Sequence, residues 1–312
     1  MRYLTELSLE AFVTAAENVP YQQINSDLFP NVDLWVRRDD LLDPIISGNK
    51  AYKLIYNLLE ARKQGKNTIV TCGGAWSNHI HATAAAGQRF GFKTIGIIRG
   101  EKPPVFSAML QDAERFGMEL RFVSRQKYRQ RGGQDFIDVV GAPSSCHFIP
   151  EGGANYLGAQ GILLLADAIQ KTKPVDFEEY WVACGTGLTV GGLCAKLGKK
   201  STVVGVPVLR AEEQVEVNTQ KWAARFANGS CDLTIVRDAH MGGYAKQPAP
   251  LLEFMEVYEK YTAVPLEGVY TGKTLKAITL NREPKPTAKH CRKSVLMIHT
   301  GGLQGRRGVL FK

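Results

Sequence analysis

The segment Ser47-Gly48-Asn49-Lys50 puts a lysine where lysine can do chemistry. Just downstream, Leu54 and Leu58, then Ile55 and Leu59, form i,i+4 pairs, while Lys53, Glu60, Arg62 and Lys63 are polar. The spacing predicts an amphipathic helix with Lys50 in its first turn. An ammonium there faces the positive end of the helix dipole, which favours loss of its proton. A lysine that gives up its proton readily is a nucleophile toward carbonyl carbon. Taken alone, such a residue is more commonly an exposed surface lysine.

Two further segments can hold anions. In Trp181-Val182-Ala183-Cys184-Gly185-Thr186-Gly187-Leu188-Thr189, a strand runs through a glycine turn into a helix. Backbone N–H groups and a helix dipole then point at one spot, with hydroxyls from Thr186 and Thr189 beside them. The loop is not a Walker loop, because the GK[ST] ending is absent. Nor is it a complete dinucleotide fingerprint, because the third glycine and the acidic partner are absent. Gly73-Gly74-Ala75-Trp76-Ser77-Asn78-His79 also joins a strand to a helix. Ser77 fits a simple N-cap, and the loop fits a second anion site suited to a carboxylate. His79 alone is weak evidence for catalysis, and His81 reads as structural.

The elements that would carry these loops alternate. Strands are expected at Asn67–Cys72, Lys93–Arg99, Glu119–Val123, Tyr180–Ala183, Thr202–Val206, Leu233–Val236 and Ser294–Ile298. Helices are expected at Ser77–Phe90, Val105–Phe116, Gly158–Gln170, Thr189–Leu197 and Leu251–Tyr261. The alternation argues for βαβ units and parallel sheets. Gln126–Pro150 reads as irregular, a hinge or long loop. A smaller α/β domain is expected over 47–155, and a larger one from 1–46 and 156–312.

Composition narrows the class. The 312 residues are 44% hydrophobic and 22% charged, as in an ordinary soluble globular protein of two domains. The net charge of +9 is spread out. Its densest stretches, Arg121–Arg131 and Lys285–Lys293, lack the interleaved aromatics of a single-strand binder and read as solvated surface. No nucleic-acid or membrane partner is expected. Six scattered cysteines contain no CxxC, so no metal site is expected. No secretory or membrane-spanning pattern is visible, and a cytoplasmic protein with reduced thiols is the expectation.

Taken together, SGNKAYKL, GGAWSNHIHATAAAG, PEGGAN, CGTGLT, GGYAK, VYTGK and HTGG resemble the D-cysteine desulfhydrase and 1-aminocyclopropane-1-carboxylate deaminase family, in matching order over nearly the whole chain. The resemblance implies a tryptophan synthase β-like fold, that of fold type II pyridoxal-phosphate enzymes. It has two open twisted α/β domains with pyridoxal 5′-phosphate in the cleft between them. It implies that Lys50 is the Schiff-base lysine and that Gly185, Thr186, Gly187, Leu188 and Thr189 are the phosphate cup. Leu188 stands where the family usually has glycine, and a backbone N–H survives that change. Asn78 resembles the partner of the cofactor's phenolic oxygen. Ser77, Asn78 and His79 resemble the substrate-carboxylate loop. Tyr270 resembles the tyrosine at the ring face, and Tyr244 a second active-site tyrosine. Relatives are commonly homodimers.

Two positions separate the subfamilies. Deaminases of the cyclopropane substrate carry Glu after the motif tyrosine and Leu in the last HxGG motif; here those positions are Thr271 and Thr300. A carboxylate facing the pyridine nitrogen would keep it protonated, whereas a threonine offers only a neutral hydrogen bond. A weaker electron sink suits β-elimination better than ring opening. The expected reaction is therefore β-elimination on a small amino acid, D-cysteine first, giving pyruvate, ammonia and sulfide. Lys50 or a tyrosine would take the Cα proton. Alternatives are cyclopropane-carboxylate deamination, cysteate sulfo-lyase activity, an amino-acid racemase or dehydratase, and a non-catalytic anion- or nucleotide-binding protein.

Overall fold

The computed structural model describes residues 4–133, 135–280 and 292–308. Residues 285–291 of the basic stretch Lys285–Lys293 lie outside the described residues. In chain order the elements are α1 (Leu9–Glu17), β1 (Tyr21–Ile24), β2 (Val32–Arg37), α2 (Asn49–Lys63), β3 (Thr68–Gly73), α3 (Asn78–Phe90), β4 (Lys93–Arg99), α4 (Ala108–Arg115), β5 (Met118–Val123), α5 (Arg125–Tyr128), α6 (Phe136–Val139) and β6 (His147–Ile149). Then come α7 (Tyr156–Thr172), β7 (Glu179–Cys184), α8 (Leu188–Leu197), β8 (Thr202–Pro207), α9 (Glu212–Phe226), β9 (Leu233–Ile235), α10 (Ala249–Thr262), α11 (Thr271–Leu280) and β10 (Lys293–Ile298). Two compact units emerge. Of the described residues, one is built on 4–15, 42–161 and 304–308, the other on 16–41 and 162–303.

The first unit holds a four-stranded sheet, β5-β4-β3-β6, parallel throughout. Strand β3 (TIVTCG) is buried at every position after Thr68, the continuous burial of a parallel strand covered on both faces. Ile98 and Met118 pack with Ile80 and Ala84 of α3 and with Leu110 and Ala113 of α4. Val70, Cys72, Ile95 and Ile97 pack instead with Tyr128, Phe136 and Cys146.

That second cluster corrects the expectation of an irregular 126–150. The segment carries two one-turn helices, and β6 pairs its His147–Ile149 with Ile69–Thr71 of β3. Helices of four residues are too short to show a 3.6-residue period, and a three-residue strand too short to show alternation. The basic stretch here also has partners. The Tyr128 hydroxyl donates to Glu151 Oε1 at 2.8 Å, and Arg131 Nε donates to Glu151 Oε2 at 2.6 Å.

The second unit holds a six-stranded sheet, β1-β2-β10-β7-β8-β9, in which only the β1 edge is antiparallel. Leu34, Val36, Val295, Met297, Trp181 and Val206 form one core with Leu251, Phe254 and Tyr258 of α10 and Leu275 and Ile278 of α11. In both units the loops of chemical interest leave the carboxyl ends of parallel strands. Gly74–Ser77 follows β3, Gly185–Gly187 follows β7, and His299–Gly302 follows β10. In open parallel sheets this is the edge where ligands bind.

Phe136 is 2% exposed. Phe136→Ala should cost about 3–5 kcal/mol in urea unfolding because it empties the face over Val70 and Ile97. A free surface loop would give a change within about 0.5 kcal/mol.

Candidate active site

Within the first unit, α2 begins at Gly48, whose φ of 63° and ψ of −152° are strained for any residue with a Cβ. No side chain among the described residues caps this helix end. Lys50 is half-buried, and its Nζ donates to Asn49 Oδ1 at 3.2 Å. Lys53, expected on a polar face, is 2% exposed. Its Nζ donates to the Gly152 carbonyl at 3.2 Å. The i,i+3 spacing from Lys50 was the signal for this placement, because it puts both lysines on one helix face.

Ser77 caps α3: its Oγ accepts the Ile80 N–H at 3.3 Å. Asn78 beside it is half-buried. His79 is 1% exposed, and neither ring nitrogen has a hydrogen-bond partner among the described residues. Burial first, then the charges of Lys50 and Lys53, hold its pKa well below the usual histidine value. A Cβ added at Gly153 would lie 3.0 Å from Lys53 Cβ and 3.4 Å from His79 Cε1. The Pro150–Asn155 motif therefore closes against the same side chains, with Glu151 held from behind by Tyr128 and Arg131. His81 turns away, with Nε2 on Asp112 Oδ2 at 3.2 Å. Arg115 and Arg307 also bind Asp112.

Within the second unit, α8 starts at Gly187 with φ 87°, and no side chain among the described residues caps it. A Cβ at Gly187 would sit 2.8 Å from the Thr219 backbone nitrogen. Gly185 and Thr186 are partly exposed, while Gly187, Leu188 and Thr189 are buried. Leu188 thus sends its side chain into the core, and its backbone stays with the loop. Tyr270 lies against this loop: its Cε1 is 3.7 Å from the position of a Cβ on Gly185. Tyr244 meets Tyr270 edge to face, ring centroids 6.3 Å apart at 75°. Thr271 is fully buried; its hydroxyl accepts the Glu267 N–H at 2.9 Å and lies 3.2 Å from the Glu267 carbonyl. Thr300, also buried, follows β10 and precedes Gly301 and Gly302.

Two more residues belong to this constellation: Glu267 has no sequence signal of its own, and Lys273 closes the VYTGK motif. Glu267 is 2% exposed and Lys273 is fully buried. The carboxylate accepts the N–H groups of Val269, Tyr270 and Thr271 at 2.8, 2.5 and 2.8 Å. Burial nevertheless pushes Glu267 up to about 7, and pulls Lys273 down to about 8. Glu267 stands two residues before the VYTGK motif and Lys273 is its last residue; lysine and glutamate usually read as surface charge.

Sequence and structure comparisons place the chain in a family. The family model described as pyridoxal-phosphate dependent enzyme matches residues 16–301, and the chain belongs to that family. It is 30% identical, over 97% of its own length and 80% of the relative's, to the mitochondrial bifunctional D-cysteine desulfhydrase/1-aminocyclopropane-1-carboxylate deaminase of Arabidopsis thaliana. It is 31% identical to a putative 1-aminocyclopropane-1-carboxylate deaminase of Thermotoga maritima, over 88% of this chain and 89% of that one. A crystal structure of an ACC deaminase homologue superposes with a TM-score of 0.75 at 26% identity, covering 92% of this chain and 90% of the other. The protein is a fold type II pyridoxal-phosphate-dependent enzyme of the D-cysteine desulfhydrase and ACC deaminase group.

The residues present fit the cofactor. A phosphate needs several N–H donors at one point, and the uncapped start of α8 is such a cluster. An aldehyde needs an amine, and Lys50 is half-buried at a helix start. The unpartnered ring nitrogens of His79 add polar capacity that the described protein groups leave unused.

His81 supplies a pH signature. Burial, then Arg307 and Arg115, lower its pKa from 6.5 to about 4. Between those values the unfolded chain binds the proton and the native state does not, so native stability is lost as pH falls from 6.5 toward 4. His81→Asn should flatten the pH dependence of the urea midpoint in this window; an unchanged slope contradicts the assignment.

Proposed function

We propose that the enzyme catalyses β-elimination on a small amino acid, with D-cysteine as the first substrate: D-cysteine and water give pyruvate, ammonia and hydrogen sulfide. Bound pyridoxal phosphate supplies an electron sink for charge developing at the substrate Cα. Lys50 would hold the cofactor covalently through its side-chain amine. The N–H groups of Gly185–Leu188 and the Thr186 and Thr189 hydroxyls hold the phosphate. Asn78 donates to the phenolic oxygen. The N-terminus of α3, with Ser77, Asn78 and His79, binds the substrate carboxylate. Lys50 or Tyr270 takes the Cα proton, with Tyr244 beside Tyr270.

Thr271 carries the choice of reaction. It is a neutral, fully buried side chain, and its hydroxyl already bonds within its own turn. Nor does Glu267 replace the missing carboxylate, because its oxygens accept three backbone N–H groups. Without a carboxylate on the ring nitrogen the sink is weaker, enough for expulsion of a thiolate and poor for opening a cyclopropane. Thr300 in place of leucine points the same way. Cyclopropane-carboxylate deamination is the second reading, favoured by the names of the Arabidopsis and Thermotoga relatives. A cytoplasmic homodimer is the proposed working form.

A product screen decides between them. Pyruvate and sulfide from D-cysteine should form at least about a hundredfold faster than 2-oxobutyrate from the cyclopropane substrate, a barrier difference of about 2.7 kcal/mol. Faster 2-oxobutyrate release reverses the assignment; pyruvate from serine or cysteate alone redirects it to dehydration or sulfo-lyase chemistry. Gly187→Ala should weaken cofactor binding at least about tenfold by titration, because its Cβ forces the loop off the Thr219 backbone.

A further inference from the structure

Tyr270 and Tyr244 lie 26 positions apart in sequence, yet their rings meet edge to face. Each backbone is held by a buried charge. Glu267 accepts the N–H of Tyr270 and of both its neighbours, Val269 and Thr271. Lys273, the third residue of α11, donates from Nζ to the Gly243 carbonyl at 2.7 Å, the peptide that leads into Tyr244. The turn before it, Gly242-Gly243, has φ of 90° and 108°, which few side chains tolerate. Arg210 Nε binds the Gly242 carbonyl at 3.0 Å. The turn that presents Tyr244 is therefore held through its carbonyls by two cations, one of them buried.

We infer that Glu267 and Lys273 are a buried pair of positioning residues that fixes Tyr270 and Tyr244 in register with one another. The function of those tyrosines rests on the reading above; the coupling between them does not. Burial opposes both charges and each favours the charged form of the other, consistent with a pair that is costly to keep. Its contribution is geometric. The carboxylate fixes where α11 begins and so where the Tyr270 ring stands. The ammonium carries that reference point across to the Gly243–Tyr244 peptide. Neither group needs to touch substrate or cofactor.

The test uses Glu267→Gln and Lys273→Met in the full chain loaded with pyridoxal phosphate, with thermal midpoints recorded. Amide hydrogen exchange is read first, because it does not depend on turnover. Glu267→Gln should speed exchange at Val269–Thr271 and also at Tyr244 by about tenfold or more, and Lys273→Met should speed both sites likewise. A Glu267→Gln effect confined to 269–271, with Tyr244 as in the parent, overturns the coupling and leaves only a local helix cap. If Glu267→Gln does not fold, Lys273→Met carries the same comparison. Kinetics supply the second arm. Glu267→Gln should lower kcat about tenfold with KM nearly unchanged, and should add little to the loss in Tyr270→Phe. Losses that multiply in Glu267→Gln/Tyr270→Phe contradict action through Tyr270. A parent protein without cofactor absorbance or lyase activity would defeat the proposed function, while the exchange result would still decide the pair.

Discussion

A parallel strand that ends in a tight turn and starts a helix leaves N–H groups with no partner in the helix. Those groups and the helix dipole attract anions. The second unit has this arrangement at β7 and α8, where Gly187 makes the turn and no described side chain closes the end. At α3 of the first unit, by contrast, Ser77 satisfies one donor and leaves the rest of the turn to Asn78 and His79. The remaining structure serves these ends. Sheets aim them, cores hold the sheets, and hydrogen-bonded carboxylates such as the half-buried Glu151 and the buried Glu267 fix the loops beside them.

Much of this was legible in the sequence, and for identifiable reasons. Strand β4 falls at Lys93–Arg99 as its β-branched run indicated. Helix α3 ends at Gly91, whose φ of 74° is the left-handed conformation that stops a helix. The glycine loop announced itself because only glycine fits beside the Thr219 backbone. Family resemblance, and not residue type alone, carries the roles proposed for Lys50, Tyr270 and Tyr244.

What stayed hidden was hidden by length or by distance along the chain. The pairing of β6 with β3 joins a three-residue strand to a partner about eighty positions away. Tyr128 and Phe136 look like isolated aromatics until the sheet face they cover is known. Lys53, Glu267 and Lys273 are charged residues under 3% exposed, against the ordinary rule that such side chains face water. Each is tolerated because a specific partner meets it: the Gly152 carbonyl, three N–H groups and the Gly243 carbonyl. Such compensation is a property of the folded chain; locally, only the i,i+3 spacing of Lys53 from Lys50 hints at it.

In the proposed function, Lys50 is the residue on which the chemistry turns. Borohydride reduction of the cofactor-loaded protein, followed by peptide mapping, locates the lysine bonded to pyridoxal phosphate. The pyridoxyl label should fall on the Asn49–Lys53 stretch at Lys50 and disappear in Lys50→Ala. A label on Lys53 or Lys273, or one that persists in Lys50→Ala, would contradict the assignment.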